Sequence, residues 1–369
     1  MKFICSKSKL LTAVQTVSRA VPNKTTMSIL ECILLEAEDQ KIKLTANDME
    51  LGIETLIEGN VLEKGKIALD AKIFLEIVRK LPDNDIRIET DSNCKTTITC
   101  EKAKFNIIGK SGEDFSCLPF IEKSSPVIIS QYTLKEAVRQ TIFSISDNDN
   151  NKLMTGELFE IEDNKLKVVS LDGHRISIRK INLKDSYPQI KVVVPGKTLN
   201  EVSKILSGDM ENDVLLYFTD KHVIFEFDQT TVISRLIEGE YFRIDQMLSN
   251  DYETKVRINK KELLSCIDRA TLLIKEGDKK PIIINITNDN MNLKINSTVG
   301  SMDEDINITK LGKDLMIGFN PKFLIDALRV IEDEEIDIYL VNPKAPCFIR
   351  DEEGKYIYLV LPVNFTTVS

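Results

Sequence analysis

Ile67-Ala68-Leu69-Asp70-Ala71-Lys72, Val192-Val193-Val194-Pro195-Gly196-Lys197 and Ile317-Gly318-Phe319-Asn320-Pro321-Lys322 align without gaps, and their lysines stand 125 residues apart both times (197 − 72 and 322 − 197). Self-similarity at a fixed period decides the fold before any local motif does. Each lysine opens a stretch with one charge order, basic, then acidic four later, then basic three further on: Lys72/Glu76/Arg79, Lys197/Glu201/Lys204 and Lys322/Asp326/Arg329. Each stretch runs into an acidic turn and a strand, from Asp83, Glu211 and Asp333 respectively. Midway between them lies a second helix family, with Leu10/Ala13/Val14, Leu134/Ala137/Val138 and Leu263/Cys266/Ile267 in matching positions. Short strands precede these helices (Lys2 to Cys5, Val127 to Ser130, Lys255 to Ile258), and alternating strands with tight turns follow at residues 33–40, 158–165 and 283–290. The chain therefore reads as three domains of about 125 residues, 1–124, 125–250 and 251–369, each made of two half-repeats of one helix plus several strands.

The helices are amphipathic. Phe74, Ile77, Val78 and Leu81 fall at i, i+3, i+4 and i+7, and Phe323, Leu324, Ala327, Leu328 and Ile331 do much the same. One face packs on a sheet, which leaves the paired basic residues of each repeat two turns apart on the other. For a single helix, solvation explains such residues. With helices at 6–19, 71–81, 133–146, 197–208, 259–276 and 320–331, however, the six together carry 16 Lys and Arg against 7 Asp and Glu. Net charge is −9, so a helical balance of +9 leaves −18 on everything else. An acidic total argues against a nucleic-acid binder, but charge segregated by element type fits basic helices turned toward a polyanion inside an acidic exterior.

Composition bounds the alternatives. At 369 residues, with 42% hydrophobic and 29% charged, the chain is long enough for several cores. The longest apolar run, Tyr356 to Leu361, is far short of the ~20 residues a membrane helix needs. The N-terminus, Met1-Lys2-Phe3-Ile4-Cys5, leads into charged sequence without an apolar signal core, so the expectation is a cytoplasmic protein with no membrane partner. Seven cysteines, at 5, 32, 94, 100, 117, 266 and 347, are odd in number and form no Cys-x-x-Cys, which fits reduced thiols. Two histidines and no tryptophan leave little equipment for metal or cofactor chemistry. Asp172-Gly173-His174-Arg175 lacks a nearby nucleophile, and Gly109-Lys110-Ser111 mimics a phosphate loop whose required glycine is Lys104 here. No catalytic site and no cofactor are expected.

Helices packed about 10 Å apart set the geometry. Six would close a circle of roughly 60 Å, leaving about 9 Å clear inside, too narrow for duplex DNA. Twelve, from two chains, leave about 28 Å clear, and groove depths imply a duplex roughly 20 Å across.

Over its whole length the chain resembles the bacterial DNA polymerase III beta subunits, the sliding clamps. The residues that carry the resemblance are Met1-Lys2-Phe3, Ser170-Leu171-Asp172-Gly173-His174-Arg175, Ile317-Gly318-Phe319-Asn320 and Leu361-Pro362-Val363. It implies an α+β fold of three tandem pseudo-equivalent clamp domains, each two helices packed on antiparallel sheets. Two chains would close head to tail into a homodimeric ring with the helices inside, sliding on double-stranded DNA without regard to sequence. It further implies that the DNA polymerase III catalytic subunit, the clamp loader and other replication or repair proteins bind through short peptide motifs.

Carried over residue by residue, the peptide pocket comprises Leu153, Met154, Leu171, Gly173, His174, Arg175, Ile176, Phe242, Gln246, Met247, Asn320, Phe323, Pro346, Leu359, Leu361, Pro362 and Val363. In it His174, Arg175 and Asn320 are expected to offer polar groups to the peptide. DNA contacts carried over are Lys24, Lys72, Asn148 and Lys152, to which the charge pattern adds Arg79, Lys197, Lys204, Lys322 and Arg329. The resemblance places the dimer interface at Phe105 and Ile107 of one domain against Leu272 and Leu273 of another. The sequence departs from the family's usual pattern in four places. Phe242 follows Tyr241 where a proline is common, Asn151 and Asn364 stand at or near positions usually held by arginine, and the Phe365–Ser369 tail runs past the usual end.

Overall fold

A computed structural model describes residues 1–116, 118–123, 125–148, 150–275 and 280–365; Cys117 and residues 366–369 of the tail lie outside the described residues. Six α-helices stand where the repeat puts them: α1 (Lys7–Val17), α2 (Ala71–Lys80), α3 (Gln131–Arg139), α4 (Gly196–Ile205), α5 (Lys260–Thr271) and α6 (Pro321–Val330). Side-chain caps fix several starts. Asp70 accepts the Ile73 N–H at 2.8 Å, Asn259 that of Glu262 at 3.1 Å, and Asn320 that of Lys322 at 3.1 Å, with Pro321 in the first turn. The sequence reading overran the ends of α3 and α5. After α3 the Thr141 hydroxyl bonds back to the Ala137 carbonyl and the chain tightens into a 3₁₀ turn, Ile142–Ser144. After α5 the N–H groups of Leu272, Leu273 and Ile274 reach back three residues each. Such turns nearly preserve helical side-chain spacing, so apolar periodicity outlasts the helix.

All strand pairing is antiparallel. Two compact units result: Met1–Leu134 with Glu201–Leu236, and Lys135–Asn200 with the chain from Ile237 onward. The first unit holds a five-stranded sheet whose edge is Ala103–Ile108, and a nine-stranded sheet in which Leu51–Glu58 pairs with Thr230–Arg235. The second holds a seven-stranded sheet in which Arg175–Pro195 pairs with Tyr356–Val360, and a four-stranded sheet whose edge is Ser301–Asn307. The middle repeat thus contributes one half to each unit. In both units the strands that join one repeat to the next lie inside their sheet and meet through buried residues, with Ile53 opposite Val232 and Ile178 opposite Ile357.

The core of the third repeat gathers Leu263, Cys266 and Ile267 of α5 and Leu324, Ala327 and Leu328 of α6 over the strands Ile282–Thr287 and Asn290–Asn296. The six described cysteines are free thiols, and burial pushes Cys5, Cys266 and Cys347 up to about 12, far from reactive thiolates. Among the described residues no helix is long and apolar enough to cross a membrane.

One polar group is out of keeping with its surroundings. Glu157 is fully buried in the strand Gly156–Leu171, and among the described residues neither carboxyl oxygen has a well-formed hydrogen bond, the nearby Thr141 hydroxyl being donated to the Ala137 carbonyl. Desolvation pushes it from its ordinary 4.5 up to about 8. Between those values the native state holds a proton that the unfolded state releases, so stability is full below about pH 4.5 and falls as pH rises toward 8. Glu157→Gln should flatten that decline and raise the thermal midpoint at alkaline pH while leaving it unchanged near pH 4. Melting curves of both proteins across this range check it; parallel curves would mean that Glu157 ionises freely in the fold.

Candidate functional site

The strand Gly156–Leu171 ends in a turn that the sequence spells Asp172-Gly173-His174-Arg175. Gly173 has φ +87°, a conformation that disfavours any side chain even though open space surrounds it. Asp172 closes the turn by accepting the N–H of His174 at 2.9 Å and of Arg175 at 3.1 Å, and then the Arg175 Nε at 3.0 Å. Its carboxylate is fully engaged, so the turn holds no free acid/base pair.

Arg175 is buried and its donors are met from within the fold. Its Nη1 donates to Asp326 of α6 at 2.6 Å and its Nη2 to the Phe143 carbonyl. The guanidinium lies 4.5 Å from the Phe323 ring centroid and 5.4 Å from that of Phe143. A buried, five-donor planar cation is stable only where such acceptors surround it, and here they tie the turn, the 3₁₀ segment and α6 together. His174 remains exposed and stacks on Phe323 at 6.0 Å between centroids. Its carbonyl accepts the Leu361 N–H at 2.9 Å, so the C-terminal segment is fastened to the turn.

That segment continues along an open sheet edge. The Val363 N–H reaches the Gly318 carbonyl at 2.8 Å, and Phe365 packs where any side chain on Gly318 would stand, 2.6 Å from the position of its Cβ. The absence of a side chain at Gly318 is what admits the Phe365 ring.

The apolar members of the predicted pocket divide in two. Leu171, Ile176 and Leu359 are buried in a core cluster with Leu158, Tyr241 and Phe348. Leu153, Met154 and Phe242 pack half-buried over that cluster, and Leu153 lies against Gly239. Met247 is 50% exposed and Leu361 37%. Gln246 is exposed at the end of the 3₁₀ turn Ile244–Gln246, and Pro346 is half-buried just before the strand Cys347–Arg350. Two clefts flank Phe323. One of about 740 Å³ is lined by Phe143, Asn148, Arg175 and Lys322 among others, and one of about 800 Å³ by Asn320, Pro321, Ile325 and Val363; His174 borders both.

Every basic residue assigned to DNA, Lys24, Lys72, Arg79, Lys152, Lys197, Lys204, Lys322 and Arg329, is exposed, as is Asn148. Arg79 pairs with Glu76, Lys204 with Glu201 at 2.7 Å, and Arg329 with Asp268 at 3.3 Å. At the sheet edge Ala103–Ile108, Phe105 and Ile107 stand opposite the buried Ile98 and Thr96, on the core side of the sheet, where Ile107 is half-buried and Phe105 remains 39% exposed. Sequence reasoning missed Ile108, which points the other way and is 84% exposed. Leu272 is 80% exposed, whereas Leu273 packs inward on the third-repeat core. The support residues Phe143, Asp326 and Gly318 also escaped the sequence reading; only Asp326 had a signal, as the acidic member of the repeated charge order.

Residues 1–119, 128–242 and 245–364 match in turn the N-terminal, central and C-terminal domains of the DNA polymerase III beta subunit. A Eubacterium rectale protein assigned to the DNA polymerase III beta subunits is 70% identical, with 99% of this chain and 100% of that one covered and a TM-score of 0.97. The DNA polymerase sliding clamp of Bacillus subtilis is 33% identical at the same coverage, with a TM-score of 0.95. The beta sliding clamp of Staphylococcus aureus strain Mu50 is 30% identical over 99% of each chain.

Replacing Arg175 by methionine leaves Asp326 without its cationic partner and the Phe143 carbonyl without a donor. A loss of about 3–5 kcal/mol in unfolding free energy is expected from breaking such a pair. Chemical denaturation measures it; a loss under about 1 kcal/mol would mean that the pair is dispensable to the turn.

Proposed function

The chain belongs to the DNA polymerase III beta subunit family, the bacterial sliding clamps, and on that premise we propose how it acts as a processivity factor of DNA replication. It is built of three clamp domains, which we assign to residues 1–124, 125–250 and 251–369. As an accessory subunit it tethers a polymerase to DNA and has no catalytic site of its own.

One observation carries the closed ring. Strands at equivalent repeat positions begin at residues 51, 175 and 301, and a second equivalent set begins at 103, 230 and 356. The first set's 51 strand pairs with the second set's 230 strand, and 175 with 356. The strands from 301 and from 103 are left over as sheet edges. Pairing 301 with the 103 edge of a second copy repeats the rule, and a heterologous contact of this kind closes when two copies make it twice. The outward faces suit each other, with Lys104 on one edge and Asp303 and Asp305 on the other. Closure also covers Phe105 and Ile108, apolar groups that an open edge would expose to aggregation.

DNA passes through the ring without sequence readout. Lys72, Lys197 and Lys322 hold the same exposed helix position in every repeat, where they meet phosphates as point charges. The partner peptide sits over Leu153, Met154 and Phe242, with Met247 and Leu361 free to adapt around an apolar side chain, and His174 and Asn320 beside it. Arg175 holds this surface from beneath.

Two experiments test the reading. Ile108→Asp with Leu272→Asp should convert the dimer, twice the chain mass in sedimentation, into a folded monomer, and should abolish retention on closed circular duplex. A mutant that stays dimeric would remove both residues from the interface. Met247→Asp should abolish binding of a short glutamine- and leucine-containing peptide, expected in the micromolar range or about −8 kcal/mol. Dimer mass should not change; equal binding by both proteins in calorimetry would refute the pocket.

A further inference from the structure

The 800 Å³ cleft beside Phe323 lies between α5 and α6; Lys322 and Arg329 of its lining are assigned to DNA above, its other α5-side residues have no role there, and it meets the peptide surface at His174, Asn320, Phe323 and Val363. Its floor is apolar, from Ile274, Pro281, Pro321 and Ile325. Its rim carries Lys275, Lys280 and Lys322, all exposed, and no ion pair to any of the three occurs among the described residues. Both acids on the rim are already neutralised, Asp268 by Arg329 at 3.3 Å and Asp326 by Arg175 at 2.6 Å. Among the described residues the cleft therefore presents three ammonium groups without an ion pair around an apolar base.

We propose that this cleft receives an acidic flank of the partner peptide, a few residues carrying aspartate or glutamate that run on from the segment seated over Met154 and Phe242. The inference rests on the peptide reading of that neighbouring surface. Charge complementarity selects carboxylates, and a concave pocket of this size suits an extended peptide with an apolar side chain on the floor. Duplex DNA is the weaker occupant. Its phosphates would satisfy the lysines but leave the apolar floor wet, and a rigid helix cannot follow a cleft between two helices. The flank adds selectivity: peptides sharing one apolar motif are ranked by the charge beside it, and a basic flank is repelled.

The test uses the full chain and synthetic glutamine- and leucine-containing peptides of one motif, extended on either side by three aspartates, three serines or three lysines. Fluorescence anisotropy reads Kd for wild type and for Lys275→Glu with Lys280→Glu, two exposed positions outside the peptide surface. One aspartate extension should bind wild type about fivefold tighter than its serine counterpart at low salt, and the gain should vanish at high salt. The double variant should lose that gain and prefer the lysine extension, while serine-extended peptides bind both proteins alike. Serine-extended peptides that bind normally with no effect of flank charge would overturn this inference and leave the peptide surface standing. A gain from aspartate that persists in the variant would place the flank elsewhere and overturn it too, as would a variant that loses only retention on circular DNA. If no peptide binds wild type, the peptide surface falls and this inference with it.

Discussion

Unpaired backbone at the edge of a sheet is the constraint from which the rest of this structure follows. A strand edge exposes a row of N–H and C=O groups that must meet water or another strand. Here each repeat satisfies its edge with the next repeat: Leu51–Glu58 takes Thr230–Arg235, and Arg175–Pro195 takes Tyr356–Val360. The pairing makes sheets larger than any one repeat, and it explains why compactness cuts through the middle of the second one. A rule that uses one edge of each repeat on the following repeat leaves the first and last repeats with one edge each, and Ser301–Asn307 and Ala103–Ile108 are those edges.

The same pairing builds the surface around the Asp172–Arg175 turn. The strand Arg175–Pro195 begins at the turn that holds Arg175, and its neighbour Tyr356–Val360 delivers Leu361 and Val363 directly beside it. Arg175 then locks this junction to α6 through Asp326 and stacks under Phe323. Buried cations of this sort are costly unless every donor is met, and the three acceptors around Arg175 leave it little freedom. By contrast, Met154 is half-buried and Met247 and Leu361 are exposed, side chains whose flexible stems adapt in shape.

Charge follows element type in the folded chain as well. The six helices as they stand carry 14 Lys and Arg against 6 Asp and Glu, so the remainder is strongly acidic. Ion pairs such as Lys204 with Glu201 are exposed and contribute little stability, about 0.2–1 kcal/mol each. Their effect is positional, holding long side chains upright on a face whose sign is set by the repeat.

The repeat of 125 residues, the six helix starts, the acidic turns, the strand alternation and the sign of each helix were determined by the sequence alone, because periodicity and capping are local properties that neighbouring residues fix. Asn320 before Pro321 and Asp70 before Ala71 announce their helices whatever the rest of the chain does. Tertiary structure decided the rest. The Asp326 that meets Arg175 lies 151 positions away. Ile107 and Ile108 are equivalent in composition, and only pairing with Thr96 turns one inward and leaves the other 84% exposed. Leu171, Ile176 and Leu359 carry the same apolar label as Met247, yet they lie in the core because strands brought together from distant segments cover them. Glu157 lies buried with no well-formed hydrogen bond among the described residues, and Gly318 is bare so that Phe365 can lie on it, for reasons that no local pattern encodes. Side-chain direction and solvent access are long-range properties: they exist only once the strands have chosen their partners.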